Sequence, residues 1–374
     1  MLLTYEGGLG HIARMYSSSK SASAAPLFSD VVLRVRTELF QRAEAMGVPF
    51  LSVFALPAWV AAGMYWGGPA WLGAPINFLI LHPIADHLMQ KDPVVPEAPT
   101  RAANSWVPTA ALVAYPLVHL ALVLATVWRA PQVTGWELWA MAGALGSMGG
   151  LSMTISHELV HRRNRALKGL GIALLLSCTY PQFFVEHIYG HHKNVGTPKD
   201  SATALRGESL YRFLIRGPKF GLINAFQLKP TWMIALSVTQ VAIYAAIFAA
   251  FGWAGVAVMA VQSALAILTL EVANYIEHYG LERKEISKGV YEPVTPMHSW
   301  DSHHFLSNAS LYNLGLHAEH HARPAIEYQK LQPNRDGRVF PYGFTAMLLL
   351  ATVPPLWFRV MNPLLPELDD ARRS

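Results

Sequence analysis

The stretch PTWMIALSVTQVAIYAAIFAAFGWAGVAVMAVQSALAILTL, residues 230–270, contains no Asp, Glu, Lys or Arg in 41 positions. A helix crosses the hydrocarbon core of a bilayer with roughly 20 apolar residues. The stretch is therefore long enough for two such helices, and Gly252 beside Trp253 predicts a tight turn between them. This pattern predicts a membrane protein built from helices.

Three more uncharged segments lie upstream, of 41, 27 and 20 residues: Ala45–Ala85, Ala102–Trp128 and Leu138–His157. The first holds two helices with a turn at Gly67-Gly68-Pro69, and the others hold one each. The chain is 52% hydrophobic and only 14% charged, whereas a soluble domain carries about 25% charged residues. We predict an all-α, polytopic membrane protein with six transmembrane helices and no nucleic-acid partner.

The basic residues predict the orientation of these helices. Of the 29 Lys and Arg residues, 28 fall in segments on one side of the predicted spans, and only Arg129 falls on the other. Basic residues concentrate in cytoplasmic segments, so we expect both termini to be cytoplasmic. Two further uncharged stretches, Gly169–Val185 and Val339–Phe358, contain prolines, and we expect them to be buried or interfacial rather than spanning.

Nine of the 16 histidines lie in four clusters at the cytoplasmic ends of the predicted helices. Several are spaced i, i+3 or i+4, which places them on one face of a helix. So many polar rings beside hydrocarbon are costly unless they are neutral and bound to metal. We predict that the metal ligands are His157, His161, His187, His191, His192, His278, His317, His320 and His321. The isolated His11, His82, His87 and His119 are expected to have no ligand role.

Nine imidazoles are too many for one ion and fit two ions with four or five each, and imidazole suits iron, copper, nickel and zinc. Two non-haem iron ions are favoured, because an apolar cavity in a membrane offers little to hydrolyse and much to oxidise. The nearby carboxylates of Glu158, Glu186, Glu277 and Asp301 are predicted to accept the other ring N–H groups and to orient the rings.

Two other classes of protein remain as alternatives. A zinc protease uses a His-Glu-x-x-His motif such as His157–His161, but it leaves the other seven histidines unused. A metal transporter needs ionisable residues near mid-membrane, and the predicted first and fifth helices have none. The single cysteine, Cys178, excludes an iron–sulfur centre held within this chain, so electrons must come from another protein.

At these residues the sequence resembles the integral-membrane alkane 1-monooxygenases, which include the methyl-group hydroxylases of xylene and related compounds. The match runs from about Ala45 to Pro333. It includes the motifs HELVHR at 157–162, EHIYGHH at 186–192, NYIEHYGL at 274–281 and YEPV at 291–294. The 274–281 motif is the most specific, since the broader membrane desaturases share the histidine clusters but not this block. Two departures are His303, where Asn is common, and the neighbours of the last cluster, GLHAEHH at 315–321.

The resemblance implies terminal hydroxylation of alkanes at a di-iron site in a bacterial inner membrane, with electrons from NADH through a reductase and rubredoxin. Methyl hydroxylation of alkylaromatics and a membrane fatty-acyl desaturase or hydroxylase remain as alternatives. Residues 45–333 then form the six-helix membrane hydroxylase domain. Residues 1–44 form a cytoplasmic, partly disordered segment, and residues 334–374 form a cytoplasmic or interfacial one.

Two further predictions concern substrate and partner. Span two ends in His82-Pro83-Ile84-Ala85-Asp86, which resembles the family's Pro-x-x-Asp, and Phe78 lies about two turns deeper. We predict that Phe78 shares a helix face with Leu81 and Ala85 and stops the far end of an apolar substrate. An acidic electron carrier such as rubredoxin is expected to dock on basic residues beside the histidines, namely Arg162, Arg163, Arg165, Lys193 and Lys199. Contact with anionic membrane lipid is the alternative use of these charges.

Overall fold

The computed structural model describes residues 24–92 and 94–367 and is mostly helical. Within these residues, four helices are long and apolar enough to cross a membrane: Val48–Trp66, Val107–Gln132, Trp136–His161 and Pro230–His278. The chain divides into two compact units, Met1–Arg42 and Ala43–Ser374. Residues 24–42 of the first unit belong to helix Ala24–Ala45. Of the predicted, partly disordered segment 1–44, residues 1–23 lie outside the described residues.

The 49-residue segment Pro230–His278 consists of two helices that meet at Gly252, whose φ of 62° and ψ of −158° are not helical. A positive φ costs glycine little. The hydroxyl of Thr179 lies 3.0 Å from that of Tyr244 and 2.8 Å from that of Ser263, so the two halves run side by side. The turn predicted at Gly252 is confirmed.

The first uncharged segment also forms a helical hairpin, with its turn at Gly67 and Gly68, both of positive φ. Its two arms pack closely. The Trp71 ring lies so near Gly63 that a Cβ at this position would collide with it. The second arm is not one continuous α-helix. It runs as Gly68–Leu72, Gly73–Ile76, Asn77–Leu81 and His82–Met89, and the third piece is a π-helix. This arm is rich in proline, which removes helical hydrogen bonds, and the π-helix ends two residues before Pro83.

The turns that connect the apolar helices lie at one end of the unit Ala43–Ser374. Glu137 accepts hydrogen bonds from the backbone of Gly68 (2.7 Å) and the indole of Trp71 (3.2 Å). A Cβ on Gly255, just beyond the Gly252 turn, would lie 3.3 Å from Val127. Helix Trp136–His161 then rises about 30 Å from Glu137 to His157, at 1.5 Å per residue. The histidine clusters therefore lie at the opposite end from these turns.

The histidine end is built from shorter elements. The helices there are Arg165–Ser177, Gln182–Glu186, the π-helix His187–His191, His192–Asn194, Leu210–Leu228, Phe305–Ser310 and His317–Ala322. Strand Glu285–Ser287 pairs antiparallel with Val290–Tyr291, and Trp300–Asp301 pairs parallel with Arg338–Val339. The amphipathic helix Leu210–Leu228 was not anticipated from the sequence, because its charged residues interrupt the apolar pattern.

The C-terminal segment packs into the same compact unit as the long helices. Its helices are Phe344–Ala351 and Pro354–Met361, both too short to span a bilayer. Trp357 is fully buried, with its ring 5.3 Å from those of Tyr275 and Tyr279. The segment therefore helps to hold the end of helix Pro230–His278, which carries His278.

Candidate metal centre

The nine predicted histidines come together in two groups of facing imidazoles within the part of the chain that the structure describes. The first group contains five: His157, His161, His187, His192 and His320. The Nε2 atoms of His161, His187 and His192 form a triangle with sides of 3.0, 3.0 and 3.1 Å. Three ring nitrogens so arranged point at one shared position.

The second group contains the other four: His191, His278, His317 and His321. Their Nε2 atoms also face one another, at 3.1 Å between His191 and His321, 3.1 Å between His278 and His317, and 3.0 Å between His317 and His321. Residues up to 130 positions apart in sequence meet here.

Local helix geometry divides two of the four clusters between the two groups, those at 187–192 and 317–321. The π-helix His187–His191 has more residues per turn than an α-helix, and His187 and His192 enter the five-histidine group while His191 enters the other. The i, i+4 pair that the sequence suggests for His187 and His191 is therefore split. In the α-helix His317–Ala322, the i, i+4 residues His317 and His321 stay together, and His320 turns to the five-histidine group.

The chemistry of the groups fits metal ions. Nitrogen ligands at about 2.1 Å from a shared ion lie roughly 3 to 3.4 Å from each other, as these atoms do. Nε2 of His157 is buried with no hydrogen-bond partner among the described residues, and an orphaned buried ring nitrogen is costly. Burial lowers the pKa values of His187, His192 and His320 well below the ordinary value. These rings are therefore neutral, which is the form that binds metal.

The predicted orienting carboxylates behave differently from one another. Glu277 Oε1 lies 3.5 Å from Nδ1 of His317, close to the predicted position. Asp301 accepts the backbone N–H of Ala318 at 2.7 Å. It therefore holds the start of the helix that carries three of the histidines, rather than a ring.

For the other two carboxylates, Glu158 and Glu186, the structure corrects the prediction that they accept from histidine rings. Glu158 pairs with Arg162 at 2.6 Å, since the two lie one helical turn apart. Glu186 accepts the hydroxyl of Ser201 at 2.9 Å, and burial raises the pKa of Glu186 to about 7. Their partners are thus a guanidinium and a hydroxyl rather than imidazoles.

The sequence analysis did not select Asp200, although this residue has the role predicted for the four carboxylates above: it accepts a hydrogen bond from the ring of a grouped histidine. Its buried carboxylate accepts from Nδ1 of His191 at 2.9 Å and from the hydroxyl of Thr203 at 2.6 Å. Burial raises the pKa of Asp200, but His191 outweighs burial and brings the pKa below its ordinary value. The local signal was weak, because Asp200 follows His191 by nine residues across a turn outside the histidine motif.

Phe78 is half-buried and lines a cavity of about 30 Å³ that also borders Leu56, Leu151 and Leu311. Leu81 is 48% exposed, so it does not share the inner face with Phe78 as predicted. The π-helix Asn77–Leu81 is the reason, since it has more residues per turn than an α-helix.

The isolated histidines have other surroundings. Both ring nitrogens of the buried His119 bond to serine hydroxyls, at 2.6 and 2.9 Å. His82 lies 3.1 Å from Ser310 and 3.2 Å from Thr345. His87 is exposed, and His11 lies outside the described residues. His303 sits between Asp301 and Glu97, 3.7 Å from each.

Fold and site together define a class: a helical protein with apolar helices of membrane-spanning length and two buried histidine groups able to hold metal. The model of the fatty acid desaturase family matches residues 134–347. The chain is 33% identical to alkane 1-monooxygenase 2 of Pseudomonas aeruginosa, over 84% of this chain and 89% of the relative. It is 34% identical to alkane 1-monooxygenase 2 of Alcanivorax borkumensis, over 89% of this chain and 92% of the relative.

A more distant relative is the hydroxylase component of xylene/toluene monooxygenase from Pseudomonas putida, at 25% identity over 62% of this chain and 65% of the relative. The chain belongs to the alkane 1-monooxygenase family of membrane enzymes.

Proposed function

We propose that this protein hydroxylates the terminal carbon of alkanes, taking one oxygen atom from O2 into a 1-alkanol and reducing the other to water. The observation that supports this most strongly is the pair of buried histidine groups, in a chain similar over most of its length to alkane 1-monooxygenases. An alkane offers no polar group for recognition, so its site must select one methyl group by shape alone.

We assign all nine histidines as ligands of two non-haem iron ions, five to one ion and four to the other. Iron held there supplies the redox chemistry with O2 that an unactivated C–H bond needs and that zinc lacks. The chain's own residues hold the rings in place. Asp200 orients His191, Glu277 faces His317, and Asp301 fixes the helix His317–Ala322. These partners keep the ligating nitrogens directed at the shared positions.

We further propose six transmembrane helices in a bacterial inner membrane, with both termini cytoplasmic. The segment Pro230–His278 supplies two spans because its two helices meet at Gly252, and the broken arm 68–89 supplies another. The end that carries the turns has Arg129 as its only basic residue in the predicted loops, whereas the histidine end is basic. This agrees with the bias of basic residues toward the cytoplasm. The domain limits 45–333 and 334–374 stay predictions.

For electron supply we propose rubredoxin, reduced by an NADH-dependent reductase. Arg163, Arg165, Lys193 and Lys199 are exposed beside the metal-binding segments and are available to attract an acidic carrier. Arg162, which the sequence suggested as a docking residue, is not available to the carrier. Its side chain is only 11% exposed, and its guanidinium is held by Glu158 and Glu327, both within 2.6 Å.

The test is metal and product analysis of the purified protein in lipid nanodiscs, supplied with rubredoxin and reductase. We expect about two irons per chain and 1-alkanols from a panel of C6 to C16 alkanes. One zinc per chain would refute the assignment. Faster turnover of xylene would favour methyl hydroxylation of alkylaromatics, to which the xylene/toluene monooxygenase relative points. Turnover of fatty esters alone would favour an acyl desaturase or hydroxylase, as in the family of the matching model.

A further inference from the structure

Helix Leu210–Leu228 has an apolar face that is exposed. With about 3.6 residues per turn, its side chains divide into three sectors around the helix axis. The first sector packs against the protein and holds the buried residues Leu210, Phe213, Gly217, Gly221 and Ala225. The second sector is apolar and between 37% and 75% exposed, and it holds Phe226, Leu222, Tyr211 and Ile215. A row of exposed apolar side chains of this kind marks an interaction surface.

The third sector of the helix is polar and basic. It follows the apolar sector around the axis and holds Arg212, Arg216, Lys219 and Gln227, with Ile223 as an apolar exception. Arg216 is held by Glu208 at 2.9 Å, whereas Lys219 is exposed. A helix that exposes an apolar face beside a basic one is suited to lie in the plane of a membrane surface. Its apolar side chains then enter the acyl layer, and its basic side chains meet lipid phosphates.

The helix also ends where a membrane surface is expected. Only Lys229 separates it from the segment Pro230–His278, which supplies two apolar helices of membrane-spanning length. Trp232, in the first turn of that segment, is 52% exposed. Lysine and tryptophan are typical of the level at which a spanning helix leaves the hydrocarbon. The end of helix Leu210–Leu228 therefore lies at a boundary between lipid and water.

The C-terminal segment extends the apolar surface at the other end of the helix. The hydroxyl of Tyr211 donates to the carbonyl of Thr352 at 2.7 Å. Val353 and Leu356, which follow Thr352, are 44% and 50% exposed. The surface thus runs from these residues along helix Leu210–Leu228 to the side of a spanning helix at Trp232. Because it is continuous with that side, the lipid around the spans is also its neighbour.

The buried face of the helix connects this surface to the metal centre. A Cβ on Gly217 would lie 3.3 Å from the carbonyl oxygen of Ser201, and one on Gly221 would lie 3.4 Å from the Ser201 hydroxyl. Ser201 directly follows Asp200, whose carboxylate accepts from the ring of His191. The depth of the helix in the membrane surface therefore bears on the position of the four-histidine group.

We propose that helix Leu210–Leu228 lies in the membrane surface at the histidine end of the protein, with its apolar sector in the acyl layer and Lys219 in contact with the headgroups of anionic lipid. This inference rests on the proposed transmembrane helices and does not require the hydroxylation. The helix is then an anchor parallel to the membrane, beside the helices that cross it, and it supports the segment that carries Asp200.

The first experiment measures the depth of single fluorescent labels in lipid nanodiscs. The fluorophore NBD is attached to Ile215→Cys or Leu222→Cys, in a chain whose native Cys178 is buried. The quenchers are lipids with a nitroxide near the ester end or near the methyl end of the acyl chain, and iodide in the water. An interfacial helix buries its apolar face about 5–10 Å into the headgroup and acyl boundary. We therefore expect the shallow nitroxide to quench both labels about twofold more strongly than the deep one.

Two control labels calibrate this measurement. Gln227→Cys lies in the polar sector of the same helix, and its label should be quenched by iodide. Val241→Cys lies about 16 Å along the spanning helix from Pro230 and is 70% exposed, so its label should be quenched by the deep nitroxide. Quenching of the Val241 label by iodide instead would refute the transmembrane arrangement, and this inference with it.

The labels on the apolar sector have two other outcomes. Quenching of the Ile215 and Leu222 labels by iodide alone would place this face in water and overturn the proposal. Quenching by neither the lipids nor iodide would show that a protein surface, such as a second copy of the chain, covers the face, and this would overturn the proposal too. Either result, with the Val241 label quenched by the deep nitroxide, leaves the spans and the hydroxylation standing.

The second experiment tests the contact of Lys219 with anionic lipid. The Ile215→Cys label is quenched with nitroxide-labelled phosphatidylglycerol and, separately, with nitroxide-labelled phosphatidylcholine. From the contribution of one basic residue near a membrane surface, we expect Lys219→Glu to lower the preference for phosphatidylglycerol about fivefold. The matched control is Lys288→Glu, which reverses an exposed charge in the loop between strands Glu285–Ser287 and Val290–Tyr291 and should leave the preference unchanged. An equal preference in Lys219→Glu and the wild type would overturn the headgroup contact.

Discussion

Asp200 should control the affinity of the four-histidine group for its ion. Its carboxylate is fully buried and accepts from Nδ1 of His191 at 2.9 and 3.1 Å. Asp200→Asn keeps the shape and an oxygen acceptor but removes the charge, and hydrogen bonds to charged groups contribute about 1 kcal/mol more than neutral ones. Asp200→Ala removes the acceptor. Loss of a partner of a ligating ring typically costs 10- to 100-fold in metal affinity, which is about 1.4 to 2.8 kcal/mol.

The assay is iron titration of metal-free protein against a competing chelator, which resolves two binding steps if the groups are separate. We expect one step to weaken about tenfold in Asp200→Asn and about 100-fold in Asp200→Ala, while the other step is unchanged because the five-histidine group does not include His191. Glu292→Gln is the matched control, since Glu292 lies 3.2 Å from a ring nitrogen of His298, which is outside both groups. Two binding steps of wild-type affinity in both Asp200 variants, or an equal loss in both steps, would refute this reasoning.

Four further predictions can be checked with the same preparations. Replacing any one of the nine grouped histidines by Ala should abolish hydroxylation and lower the iron content, measured by product analysis and plasma mass spectrometry. His119→Ala should keep its iron but lose about 1–3 kcal/mol of unfolding free energy, because two buried serine hydroxyls lose their partner. Reversing the charge of Arg163 and Lys199 to Glu should weaken turnover with rubredoxin at low salt and much less at high salt; equal rates at low salt would move the docking site elsewhere. Phe78→Ala should lengthen the preferred alkane with iron retained, and an unchanged chain-length profile would show that another residue stops the far end of the substrate.

Much of the architecture follows from sequence because its signals are local. Uncharged runs of 20 to 41 residues mark where the apolar helices lie, and glycines at 67, 68 and 252 mark the turns, since only the immediate chain is involved. The nine histidines could be selected in the same way. They lie in short clusters at the ends of apolar segments, where burying an imidazole that binds neither metal nor another polar group costs free energy.

The division of those histidines into five and four was decided by tertiary structure. It depends on a π turn at His187–His191 and on packing that brings His191 to within 3.1 Å of His321 from 130 residues away. The orienting role of Asp200 and the pairing of Glu158 with Arg162 depend on packing in the same way. Sequence patterns record which residues share one face of one helix, whereas the partner of a buried polar group is set by which helices pack together.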